Sequence, residues 1–171
     1  MKSKDARAIG WAALGMFAWG AIKSLTVQAG HSDCPICASM VASTAMDPRR
    51  LAHSVLFGPL MEEVNFRDAL PRLMGDEASS VAFGAMHADP GLGMIGNAVR
   101  VLEAGLAGAL VYLPAFKRGG LLGSTLVHGA HNLGAAVGAY AGARRSLTGP
   151  RRPFVIVMPV TPSAPTLPRP Y

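Results

Sequence analysis

Residues 119–143 run for 25 positions without an Asp, Glu, Lys or Arg. As an α-helix rising ~1.5 Å per residue, such a run outreaches the ~30 Å hydrocarbon core of a bilayer. In lipid it has to satisfy its backbone internally, so a helix is the form it takes. A second uncharged run, residues 9–22, carries Trp11 and Trp19, continues past Lys23 to about residue 29, and reads as the first membrane helix. Its basic start is shared with signal peptides, but no small-residue cleavage site follows and Lys23 interrupts its later part. Composition agrees: half of the residues are apolar and 15% are charged, against about 25% charged in soluble domains, and the mean hydropathy is +0.31.

The net charge of +6 is compatible with nucleic acid, an anionic surface or the flanks of membrane helices. Position decides among them. Lys2, Lys4 and Arg7 precede one apolar run, Lys117 and Arg118 separate two others, and Arg144, Arg145, Arg151 and Arg152 follow the last, as basic residues do at helix ends in a bilayer. No recognition helix or aromatic-interleaved basic strand is present, which argues against nucleic acid. Cys34 and Cys37 form a lone C-P-I-C beside His31 and Asp33. A structural zinc site needs about four ligands and a redox motif its βαβ setting, so two loop thiols or a local disulfide is the expected state.

The 171 residues suit one domain, divided along the chain into an N-terminal membrane helix (1–30), a Cys-containing loop (31–50), a core (51–145) and a tail (146–171). The fold expected is all-α, a polytopic membrane bundle of about four to six embedded helices. The apolar stretch 36–46 is too short to span upright, and Asp47-Pro48 reads as a helix start. From Leu51 a helix runs into a pair of glutamates, with Pro59 as a kink and Pro71 and Gly75 as its end. Residues 79–87 begin another helix, broken at Asp89-Pro90-Gly91. A long helix over 92–115 carries Arg100 and Glu103, expected to pair on one face. Glycines at 129, 134 and 138 should let helices approach closely. Prolines at 150, 153, 159, 162, 165, 168 and 170 imply an extended or disordered tail.

Three polar constellations interrupt this apolar texture: Glu62-Glu63-Val64-Asn65-Phe66-Arg67, Phe83-Gly84-Ala85-Met86-His87 and His128-Gly129-Ala130-His131-Asn132. Side chains of this kind are costly at membrane depth and stay where they have a task. Glu63 and Arg67, four apart, can pair on one face. Glu62 points about 100° away, free to face the interior, where partial desolvation makes a carboxylate a better proton acceptor; it is the candidate general base. His128 and Asn132 share a face, with His131 close by, and one imidazole plus one amide can stabilise an oxyanion. Each group alone has a plainer explanation: charges at a wet helix end, a satisfied core histidine, or polar packing between helices. Zinc held by Glu62, His87 and His128 is the rival chemistry. No H-E-x-x-H, no G-x-S-x-G and no cysteine in basic surroundings is present.

In order and spacing, the three constellations resemble the E-E-x-x-x-R, F-x-x-x-H and H-x-x-x-N signature of the CAAX protease and bacteriocin-processing family of intramembrane endopeptidases. The resemblance implies a helical bundle in which Glu62, His87, His128 and Asn132 line a cavity, supported by Glu63, Arg67 and His131. It further implies that Glu62 and His87 activate water while His128 and Asn132 form the oxyanion hole. A carboxylate beside an imidazole can deprotonate water without a metal, so no cofactor is expected, with zinc as the alternative. The expected partners are the lipid bilayer and a peptide or protein cut near its membrane anchor; prenylated tails, sorting tails and leader peptides all fit. The expected location is integral and multi-pass in a bacterial inner membrane. The competing function is a non-catalytic membrane binding or bacteriocin-immunity factor that keeps the pocket and cleaves nothing.

Overall fold

The computed structural model describes residues 2–30, 35–89 and 91–148, and every element among them is a helix. Helix α1 (Ser3–Gly30) packs against the last helix, α8 (Leu113–Thr148). Their approach depends on missing side chains: a Cβ on Gly134 would stand 2.0 Å from the Phe17 carbonyl oxygen, and one on Gly138 would stand 2.1 Å from that of Ala21. The small residues thus act as the sequence suggests, bringing the two backbones together where apolar burial alone drives little association. Gly134→Ala is therefore expected to lower stability by about 1–3 kcal/mol through overpacking, measured as thermal unfolding in detergent micelles.

Among the described residues two stretches are long and apolar enough to cross a membrane by length and composition, Ser3–Val27 and Met94–Thr148. The second is not one straight rod. Helix α7 (Met94–Ala107) passes through a π-helical turn, Gly108–Tyr112, into α8, and Gly120 then takes φ 61°, ψ −158°, a conformation open to glycine without a Cβ penalty. The boundary that the sequence puts between 115 and 119 falls at this glycine. The short apolar helix α2 (Pro35–Ala45) also lies against α8.

Asp47 caps helix α3 (Pro48–Ala52), accepting from the Arg49 and Arg50 amides, with Pro48 in its first turn. The chain then stays helical to Met74, through a π turn at His53–Phe57, α4 (Gly58–Glu63), a second π turn at Val64–Ala69 and α5 (Leu70–Met74). Each of the three π turns is followed, two residues on, by a proline: Pro59, Pro71 and Pro114. Proline brings no N–H and its ring clashes with the carbonyl four residues back. Widening the preceding turn relieves the clash without ending the helix. Pro71 accordingly does not terminate the rod. It ends at Gly75, where φ is 85°, and α6 (Asp76–Ala85) follows and packs on α7.

The expected Arg100–Glu103 pair does not form. Glu103 instead accepts from the Trp19 indole at 3.0 Å and pairs with Lys23 at 2.5 Å, both from α1. An ammonium and an indole N–H together outcompete one guanidinium on the same helix. Arg100 turns to Asp89. Cys34 and the prolines of the tail lie outside the described residues, while Cys37 sits on α2 and is not a free thiol.

Candidate active site

Helix α4 delivers Glu62, the turn after α6 delivers His87, and α8 delivers His128. The three meet. Glu62 Oε2 stands 3.8 Å from His87 Nε2 and 3.7 Å from His128 Nε2, and that oxygen is buried without a hydrogen-bond partner. A buried, unpaired carboxylate oxygen is costly, and one kept in a folded protein calls for an explanation. The side chain opens on a cavity of about 440 Å³ lined also by Phe66, Met86 and His87, within the ~300–1,000 Å³ range of ligand sites.

Both rings are held from behind. His87 Nδ1 lies 2.8 Å from the Phe83 carbonyl, which can only accept, so Nδ1 carries the proton and Nε2 is the atom turned toward Glu62. His128 Nδ1 lies 3.0 Å from Glu63 Oε1, an arrangement in which a carboxylate fixes the orientation of the ring and leaves Nε2 turned toward Glu62. Tyr112, buried, stacks on His128 at 4.6 Å with 12° between planes, and Phe83 meets His128 edge-on and His87 at a tilt.

Glu63 and Arg67 are both fully buried and approach to 3.5 Å, Oε2 to Nε. Arg67 also donates from Nη1 to the Phe66 carbonyl, and its guanidinium lies over the Phe83 ring at 5.0 Å. A Cβ on Gly108 would stand 2.6 Å from Arg67 Nη2. The π turns feed this network. In the second, the Leu70 amide bonds to Asn65, five residues back; the next donor in that register would be Pro71, so the Phe66 carbonyl has no helical partner. Arg67 and the buried Ser79 hydroxyl, at 2.5 Å, supply its hydrogen bonds.

The same logic locates Asn132. In the first π turn the Gly58 amide bonds to His53, the following residue is Pro59, and the Ser54 carbonyl is left over. Asn132 Nδ2 donates to it at 2.7 Å, using one of the two amide hydrogens. Beside it, a Cβ on Gly129 would stand 2.4 Å from the Val55 carbonyl oxygen. His131 is turned to another partner, Tyr112, whose hydroxyl meets Nδ1 at 3.0 Å and whose ring stacks on His128. Tyr112 escapes the sequence reading because a tyrosine in an apolar run looks like ordinary core. Among the described residues no group of three or more His, Cys, Asp or Glu is arranged to hold a metal ion.

Residues 45–134 match the type II CAAX prenyl endopeptidase Rce1-like family. The matched span exceeds half of the chain and contains all three constellations, so the chain belongs to that family. It is a membrane protease of the CAAX endopeptidase class, acting on a peptide or protein. No curated protein matches the chain, and no solved structure does.

Proposed function

We propose that the protein is a multi-pass intramembrane endopeptidase of glutamate type, with residues 51–145 as its catalytic core. The observation that carries this reading is the convergence of the unpaired Glu62 oxygen with the Nε2 atoms of His87 and His128 at 3.7–3.8 Å. Glu62 and His87 hold a water between them, and Glu62 takes its proton as the oxygen attacks the carbonyl carbon of the scissile bond. His128, its Nδ1 held by Glu63, donates from Nε2 to the oxyanion, joined by the second amide hydrogen of Asn132. A preorganised donor in a water-poor site stabilises that charge by about 3 kcal/mol. The proton on Glu62 then passes to the leaving nitrogen, the C–N bond breaks, and a carboxylate and an amine depart.

The embedding follows from the same physics. Among the described residues two stretches pass the test of length and composition, and the helices between them carry the buried Glu63–Arg67 pair, which stands better inside a bundle than facing lipid. We place the protein in a bacterial inner membrane, in keeping with its Ala, Gly and Arg richness.

The test is hydrolysis of a membrane-anchored reporter peptide by the purified protein in liposomes, paired with a comparison of membrane peptides in cells with and without it. Excess chelator is expected to leave the rate unchanged. A rate lost to chelator and restored by zinc would instead assign Glu62, His87 and His128 as ligands. No hydrolysis, with cellular function surviving Glu62→Gln, would make the protein a binding or immunity factor.

A further inference from the structure

Arg100 has no part in the chemistry above, yet it lines the same cavity as Glu62 and His87. Its helix neighbour Glu103 is held by Trp19 and Lys23. What remains for Arg100 is Asp89, whose Oδ2 stands 3.7 Å from Nη1, beyond hydrogen-bond reach, with both side chains nearly half exposed. Such a pair stabilises the fold little.

The aspartate is nevertheless held in place. Its amide donates to Asn97 Oδ1 at 2.7 Å, its carbonyl accepts from Asn97 Nδ2 at 2.8 Å, and its Oδ1 accepts from the Gly91 amide at 2.9 Å. The loop thus presents a carboxylate near the guanidinium without letting it close a bidentate bond. A guanidinium fork in this state is suited to a second carboxylate in two-point geometry.

We infer that Arg100 binds a carboxylate of the peptide substrate, and that Asp89 holds the guanidinium toward the cavity until that group arrives. The inference rests on the protease reading for the identity of the ligand: an anion sharing one cavity with the water-activating glutamate belongs to what is cut rather than to surrounding lipid. The carboxylate is either the chain terminus of the substrate or an acidic side chain close to the scissile bond.

Binding separates this inference from the protease reading. The Glu62→Gln protein in nanodiscs is titrated with a fluorescent peptide bearing a prenylated cysteine three residues from its end, made as the free acid, as the C-terminal amide, and as an amide with aspartate in the last position. The acid is expected to bind at least about tenfold more tightly than the plain amide, as a charge-assisted bond implies. Adding Arg100→Ala erases that difference and Arg100→Lys keeps part of it. Asp89→Asn, which retains an oxygen for Gly91, tightens acid binding severalfold, a gain that no folding defect produces. An aspartate amide that binds like the acid assigns a side-chain carboxylate; one that binds like the plain amide assigns the terminus. Equal binding of acid and amide, a difference that survives Arg100→Ala, or no binding of any of the three overturns the inference. Glu62-dependent cleavage of the amide peptide by the unmodified protein, measured in parallel, leaves the protease reading standing whichever way the titration falls.

Discussion

Glu62→Gln is expected to lower turnover by about 10³-fold or more while leaving the protein folded. General-base catalysis contributes ~10²–10⁴-fold, and the amide keeps the shape of the carboxylate but cannot take the proton. The fold should not weaken, because the buried Oε2 makes no hydrogen bond that the amide would lose; the unfolding free energy should fall by no more than ~0.5 kcal/mol. Substrate affinity should change little, since the loss falls on the transition state, so kcat drops and KM holds. Single-turnover hydrolysis in liposomes alongside thermal unfolding separates these effects. Activity within tenfold of the parent would mean that another group deprotonates the water.

Which side chains meet was legible because helical spacing and costly polar residues are both visible in a sequence: the Glu63–Arg67 pair at i,i+4, the turn of Glu62 away from that pair, and the small-residue face of α8 all stand as the spacing implies. What surrounds them was less so. Pro59 reads as a kink and Pro71 as a stop, whereas each sits beyond a widened turn that strands a carbonyl, and no local pattern says which distant side chain will come to it. Asn132 and Ser79 come, from other helices. Arg100 and Glu103 show the converse. Their i,i+3 spacing permits a pair, but a helix 80 residues away in sequence brings a lysine to Glu103, and tertiary contact overrides local geometry. His131 reads from the sequence as a supporting residue, and the partner its ring takes, Tyr112, carries no signal of its own in an apolar run. The tail and Cys34, outside the described residues, are untouched by this comparison.

Arg67→Ala is expected to be the most destabilising single change, at about 3–5 kcal/mol, because it removes the partner of the fully buried Glu63 Oε2 and leaves that side chain to His128 alone. The arginine also serves the Phe66 carbonyl stranded before Pro71 and packs on Phe83, so structure is lost on three sides at once. Replacing both partners by shape-matched neutral residues, Glu63→Gln with Arg67→Met, should recover much of that stability, since a buried pair exchanged for neutral groups is often close to neutral in free energy. Activity should not recover with it. His128 Nδ1 would face an amide in place of a carboxylate, the ring would lose the partner that holds it, and the donor aimed at the oxyanion would weaken. Unfolding in detergent and turnover in liposomes, measured on the two single variants and the double variant, therefore divide what the pair does for the fold from what Glu63 does for His128. If the double variant regained both stability and turnover, Glu63 would be a structural charge alone and the proposed donor role of His128 would fall.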